Sequence, residues 1–509
     1  MADGKDPTLV KETLDKDLAK LGRAEAAVQA TARSVVAPGL AFLFLAAIVV
    51  IGGALLGGQD NGLLIIAAAA IGGYMALNIG ANDVANNVGP AVGSKALTIG
   101  GALVIAAICE SAGALLAGGD VVSTISKGII DPSTVPTTET FVWLMMAALI
   151  SSALWVNLAT VLNAPVSTTH AVVGGVMGAG IAAAGFGAVH WPTMASIAAS
   201  WVISPVLGGI IAAAVLAFIK IFIIYREDKI AAARRWVPML IAIMAGAFGT
   251  YMSLKGLKHL PWFDHIGLPK ALLIGLGVAI FAWIVTHPLI KRQSRDMPNR
   301  NQSLRELFVW PLIFSAALLS FAHGANDVAN AIGPLAAIVH AIEAGEVASK
   351  VHIPLWVMLI GAGGISFGLV LFGPKLIRMV GESITKLNPM RAYCVALAAA
   401  VTVIIASWLG LPVSSTHIAV GAVFGVGFFR EWFTANSKTR LRYIHAYAPN
   451  AAKTQYAGVQ RRKAARKLVR RAHVNTVVAA WLITVPASAV LAAAIFFALE
   501  HLFGVVPAT

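Results

Sequence analysis

Thirteen stretches of the chain are apolar for about the length a helix needs to cross a bilayer: near 35–57, 63–90, 98–118, 139–162, 165–186, 195–220, 236–256, 267–290, 306–336, 353–373, 389–409, 411–429 and 474–503. No other feature restricts the fold as much. Hydrocarbon offers backbone N–H and C=O groups no partner, so such segments must satisfy their own hydrogen bonds as helices. Composition agrees, with 58% hydrophobic and only 12% charged residues. Soluble domains are roughly one-quarter charged. The expected fold class is an all-α polytopic membrane protein of about 12–13 transmembrane segments, in which Gly- and Pro-rich pieces form broken helices and re-entrant hairpins.

Charge orients these segments. The formal net charge is +15, and between 430 and 471 twelve Lys or Arg stand against one acid. Connections 220–235 and 291–305 each carry five Lys or Arg. Basic loops stay cytoplasmic, and an even number of spans separates each from the next, so all three share one side. The N-terminus then lies inside and the C-terminus outside, in what reads as a bacterial inner membrane. The run VQRRKAARKLVRR reads as a cytoplasmic loop beside the lipid bilayer, with no nucleic-acid partner. Residues 1–34 lack the basic start and cleavage signature of a signal peptide. With Leu14, Leu18 and Leu21 on one helical face, they read as an amphipathic cytoplasmic tail. Cys109 and Cys394 sit in apolar surroundings without CxxC spacing, which supports neither a metal site nor a disulfide.

Two polar phrases recur inside the apolar runs. GANDVANNVGP at 80–90 returns as GANDVANAIGP at 324–334, and APVSTTHAVVGGVMG at 164–178 returns as LPVSSTHIAVGAVFG at 411–425. A weaker echo links SWVISPV from Ser200 with AWLITVP from Ala480. An even number of crossings lies between the two GANDVAN spans, so they run in opposite directions, as an inverted repeat requires. The expected layout is a tail (1–34), an extra helix (35–62), a first repeat (63–225), a connecting pair with basic loops (226–305) and a second repeat (306–509) containing the basic loop 430–471.

Burying Asp83 or Asp327 in a membrane costs about 2.5–3.5 kcal/mol on insertion scales, so such acids face cavities and partners. Asn82, Asp83 and Asn86 fall within about one helical turn, and Asn326, Asp327 and Asn330 repeat them. Gly80 and Gly89-Pro90, like Gly324 and Gly333-Pro334, permit the backbone to break there and expose carbonyls. Carboxylate, amide and carbonyl oxygens suit a hard cation, sodium first. The second motif has the opposite chemistry. Ser167, Thr168 and Thr169, and Ser414, Ser415 and Thr416, place hydroxyls at helix starts preceded by Pro165 and Pro412, where unpaired amides bind anions. His170 and His417 follow directly and fit three roles: proton carrier, anion donor, or core histidine. A Ser167–His170 hydrolase pair is disfavoured by its duplication and by the lack of a separate oxyanion arrangement, so the chain reads as no enzyme. Glu110 is a further intramembrane acid, read equally as part of a cation or proton site or as lying near an interface.

No Lys or Arg occurs in 63–94 or 307–340, so a divalent oxyanion beside two aspartates would need accompanying cations or protons. Obligatory coupling follows as an expectation, with no cofactor beyond the co-transported Na+ or H+.

With both motif pairs quoted, the chain resembles the inorganic phosphate transporter family, over about 63–503. GANDVANNVGPAVGSKALT and STISKGIID look like members outside the shortest bacterial type. The resemblance implies low-affinity symport of orthophosphate with sodium or protons, an inverted-repeat core and a homodimer. Its cation-site positions fall on Asn82, Asp83, Asn86, Asn326, Asp327 and Asn330. Its phosphate-site hydroxyls fall on Ser167, Thr168, Thr169, Ser414, Ser415 and Thr416, and Glu110 matches a functional glutamate. The chain departs where many relatives have a second glutamate, reading AYCVALAAA with Ala396, and its first helix and tail look like additions. Sulfate is the nearest rival substrate, and a non-transporting scaffold or receptor is the alternative of a different class.

Overall fold

The computed structural model describes residues 35–59, 61–162, 164, 166–257, 266–345, 353–383, 387–447 and 471–503. The amphipathic tail expected in 1–34, Pro165 and the 448–470 part of the basic loop lie outside the described residues.

Helices account for nearly all of what is described. They are α1 (Val35–Leu56), α2 (Gly62–Gly93), α3 (Ile99–Ala117), α4 (Gly119–Lys127), α5 (Thr138–Val161), α6 (Thr168–Ala184), α7 (Trp191–Ile219), α8 (Lys229–Tyr251), α9 (Leu268–Gln293), α10 (Asn301–Leu307), α11 (Val309–Asp327), α12 (Ala329–Ala344), α13 (Leu355–Ser383), α14 (Pro389–Trp408), α15 (Ser415–Asn436), α16 (Lys438–Tyr447) and α17 (Arg471–Phe503). Short π-helical turns, Lys220–Ile224 and Met252–Gly256, extend α7 and α8. Twelve of the described helical segments are long and apolar enough to span a bilayer, α11 and α12 counting as one, and α6 is a shorter apolar helix of 17 residues. All thirteen apolar stretches read from the sequence are therefore helical.

The inverted repeat is visible in the packing. In the first half α2 carries GANDVAN, α3 and α4 follow, and α5–α6 form a hairpin with residues 166–170 at its tip; α11–α12, α13 and the hairpin α14–α15 repeat this order. The halves are exchanged across the axis: α2 packs along α13 and α3 along α11, while α6 packs on α17 and α15 on α7. Basic segments gather at one end. There Asn299 accepts from the Lys229 amide and Lys229 Nζ reaches the Tyr443 hydroxyl, so the α7–α8 turn, the 291–305 connection and α16 meet.

Both GANDVAN glycines are used for close approach, and the expected break in the backbone does not occur. The helix α2 runs unbroken through Gly80 and Pro90. In the second copy only Val328 interrupts the pattern, with φ −56° and ψ −32°, which keeps the helical course. A Cβ on Gly80 would lie 1.9 Å from the Ile365 carbonyl oxygen, and one on Gly324 would lie 2.1 Å from that of Glu110. Backbones this close require glycine, the usual device where helices associate without a hydrophobic driving force.

These crossings also set the register of the pseudo-two-fold. Gly113 abuts Phe321 as Gly368 abuts Leu77, and Gly118 abuts Val328 as Gly373 abuts Val84. It follows that Ile365 occupies the place of Glu110, Ile79 that of His323, and Lys375 that of Asp120.

Gly324→Ala is expected to lower stability by about 1–3 kcal/mol, the usual cost of overpacking. Gly277→Ala, whose added carbon meets nothing within 4 Å, is expected to be neutral or stabilising. Thermal unfolding of the two purified variants in detergent checks the contrast.

Candidate functional site

The two hairpin tips meet between the two GANDVAN helices, and each aspartate is shared by both tips. Thr168 donates to Asp83 Oδ2 at 3.0 Å and Thr416 to Asp83 Oδ1 at 2.9 Å. Ser415 donates to Asp327 Oδ2 at 3.0 Å, while the Thr169 hydroxyl stands 3.5 Å from Asp327 Oδ1 and has the Val413 carbonyl of the other tip nearer, at 3.0 Å. Since Thr168 corresponds to Ser415 and Thr169 to Thr416, each acid faces one hydroxyl from its own half and one from the other. Both carboxylates are 1% exposed, and water cannot replace these donors cheaply.

The asparagines divide the remaining work. Asn82 Nδ2 donates to Thr160 Oγ1 at 3.0 Å and to the Ala164 carbonyl at 3.5 Å; its counterpart Asn326 donates to Ser407 Oγ at 3.0 Å and to the Leu411 carbonyl at 3.1 Å. These two side chains pin the hairpin turns to the GANDVAN helices. Asn86 Nδ2 donates to Thr416 at 2.7 Å, whereas Asn330 Nδ2 reaches Thr169 at 3.1 Å, Thr168 at 3.3 Å and Asp327 Oδ1 at 3.4 Å. Asn82 Oδ1 and Asn330 Oδ1 are buried and accept no hydrogen bond, a cost of about 1–3 kcal/mol each unless a cation takes them.

Ser167 and Ser414 act structurally, capping their helices by accepting from the amides of His170 and His417 at 3.1 and 3.3 Å. The rings of His170 and His417 pack on each other with centroids 4.6 Å apart, and His170 lies 3.8 Å from Trp201. The Trp201 indole donates to the Pro412 carbonyl at 3.3 Å, so these rings lock the crossing of the two tips.

Glu110 is fully buried and accepts from Asn87 Nδ2 at 2.8 Å, which overturns the reading that put it near an interface. Its other oxygen faces His323 Nδ1 at 3.3 Å. The same ring has Nε2 2.8 Å from Asp327 and 3.9 Å from Asp83. One atom from each of Asp83, His323 and Asp327 lies within 4.8 Å of the others. Counting only Lys and Arg in the sequence overlooked His323. A signal was present: AHGANDVAN differs from NIGANDVAN by placing an imidazole where the first repeat has Ile79. With both ring nitrogens against carboxylate oxygens, the network is satisfied only by a proton on the second nitrogen or on an acid. No Lys or Arg among the described residues pairs with these acids.

The sequence suggested separate cation and anion regions. Instead, Thr168, Ser415 and Thr416 turn their protons to the carboxylates, because an ionised acid is the strongest acceptor in their reach, and a hydroxyl can rotate when another acceptor arrives.

The profile of the Phosphate transporter family matches residues 79–492. A Helicobacter pylori protein whose name proposes a phosphate permease is 47% identical over 474 residues, 84% of this chain and 88% of that one. A Pyrococcus abyssi protein with a similarly proposed name is 35% identical, covering 83% of this chain and 94% of its own. Among solved structures, one titled the sodium-dependent phosphate transporter superposes with a TM-score of 0.76 at 33% identity, over 86% of this chain and 99% of that chain.

Removing one partner of the buried Glu110–His323 pair is expected to cost about 3–5 kcal/mol, because the other is left without compensation. The double change Glu110→Ile with His323→Ile copies the Ile365–Ile79 pair of the other half and should recover much of that stability while abolishing the acid–imidazole network. Thermal unfolding of the singles and the double measures the coupling.

Proposed function

The chain belongs to the phosphate transporter family, and we propose that it imports orthophosphate by sodium symport, with alternating access to one buried site. The supporting observation is the composition of that site: two aspartates, amide oxygens without donors, and hydroxyls from both hairpins, with no lysine or arginine among its partners in the described residues. At an effective dielectric of about 20, two like charges about 4 Å apart repel by about 4 kcal/mol. A phosphate dianion beside Asp83 and Asp327 incurs several such terms, and each charge-assisted hydroxyl bond returns only about 1.5–3 kcal/mol. His323 offsets one charge at most. Cations must therefore enter with the anion, and the oxygens of Asn82, Asp83, Asn86, Asn326, Asp327 and Asn330 suit sodium.

In this reading Thr168, Thr169, Ser415 and Thr416 rotate their hydroxyls toward phosphate once sodium satisfies the carboxylates, while Ser167 and Ser414 hold the helix starts whose amides face the anion. Occupation of both kinds of oxygen lets the hairpins move together against α2 and α11, and the inverted repeat supplies two equivalent end states. The basic end of the molecule is the cytoplasmic one by the positive-inside bias, and the working unit is a homodimer in the bacterial inner membrane.

In proteoliposomes, labelled orthophosphate uptake should follow an imposed sodium gradient, fail with a proton gradient alone, and resist excess sulfate. Asp83→Asn and Asp327→Asn should each reduce it by about tenfold or more, equivalent to about 1.4 kcal/mol. Undiminished uptake without sodium would remove the basis of the proposal.

A further inference from the structure

The two flanks of the site are related by the pseudo-two-fold, yet one is plugged and the other hollow. On the plugged flank Ala117, Phe321, Ala325 and Ile404 are covered by Phe248, Tyr251 and Met252 from the end of α8. Tyr251 stands edge-on to Phe321 with centroids 6.5 Å apart, and its hydroxyl is in reach of Ser407, the residue that holds Asn326. Lys255 closes the rim by pairing with Asp120.

The corresponding residues on the other flank are Phe372, Leu77, Ala81 and Asn157, with Thr160 in place of Ser407 and Lys375 in place of Asp120. All six line a cavity of about 540 Å³. Helix α1 covers this flank with Pro38, Ala41, Phe42 and Leu45, but sends nothing in that resembles the Tyr251 plug. The cavity wall is mostly apolar but carries a polar group where the plugged flank has Ile404: Asn157 Nδ2 donates to Asn78 Oδ1 at 3.1 Å, Asn78 donates to the Tyr74 carbonyl at 2.9 Å, and Thr160 on the floor accepts from Asn82 of the site while donating to the Val156 carbonyl at 2.8 Å. Lys375 is exposed, has no acidic partner among the described residues, and lies much nearer the C-terminal end of α13 than its start. Apolar helix faces do not need an amide pair and a lysine; a hydrated oxyanion does.

Building on the phosphate symport reading, we propose that this cavity beneath α1 is a second, vestibular orthophosphate site, with Lys375 drawing the anion in and Asn157 and Thr160 passing it to or from Asn82. The lysine serves here because the vestibule is separated from the acids of the inner site, where a fixed cation would compete with sodium. The plugged flank is the same passage in its closed form, shut by Tyr251 and the Asp120–Lys255 pair.

Thiol labelling of the full chain in proteoliposomes, with Cys109 and Cys394 replaced by Ala, tests this. The thiol of Asn157→Cys should react faster with an anionic than with a cationic water-soluble methanethiosulfonate, and orthophosphate should slow the reaction. The thiol of Ile404→Cys, at the equivalent plugged position, should stay unreactive. Adding Lys375→Gln should remove the preference for the anionic reagent and raise the protecting phosphate concentration by about tenfold, the low end of electrostatic focusing, whereas Lys375→Arg should retain both. An unreactive Asn157→Cys thiol, or one indifferent to reagent charge and to phosphate, overturns the vestibule. If sodium-driven uptake by the unaltered chain persists in that case, the vestibule alone falls; if the unaltered chain takes up no phosphate, the transport reading falls with it.

Discussion

Everything in the core depends on the sharing of Asp83 and Asp327 between the two hairpins. Each carboxylate faces a hydroxyl of α6 and another of α15, Asp83 taking a proton from both and Asp327 from Ser415, while Thr169 also bonds the Val413 carbonyl of the opposite tip, so neither hairpin tip can leave without breaking a buried hydrogen bond. That is why two halves of the chain, separated by the connecting helices α8 and α9, behave as one body around their axis. The glycine crossings at Gly80 and Gly324 complete the arrangement by seating α2 closely on α13 and α11 closely on α3, the helices that carry the two acids on the helices of the opposite half.

Against this symmetry the departures acquire meaning. Glu110 and His323 sit where the other half has Ile365 and Ile79, so the second GANDVAN carries an acid–imidazole network that the first lacks. The flanks differ likewise, with Tyr251 and the Asp120–Lys255 pair on one side and a cavity with Lys375 on the other. A perfectly symmetric carrier would have equal end states and no preferred direction of substrate access. These unequal residues are where the duplicated scaffold was specialised.

Much of the fold was legible in the linear chain, because a bilayer leaves apolar segments a single choice of secondary structure. Parity of crossings then exposed the inversion. The site was less legible: GANDVAN and PVS(T/S)TH marked the right residues, but which atoms they present was hidden. The glycines read as breaks turned out to be contact points, since only the partner helix shows what a missing Cβ makes room for. His323 escaped notice because one histidine in an apolar run has no pattern of its own until Glu110 and Asp327 are folded against it.

From its sequence alone the protein was determined to be helical, membrane-embedded and internally inverted, for periodic hydrophobicity and charge bias are local properties that need no partner to be expressed. The tertiary structure decided that hydroxyls and carboxylates form one cluster instead of two, that Glu110 is interior, and that the flanks are unequal. Such facts reside in distances between atoms hundreds of residues apart, such as the Thr416–Asp83 bond, and no local pattern encodes them.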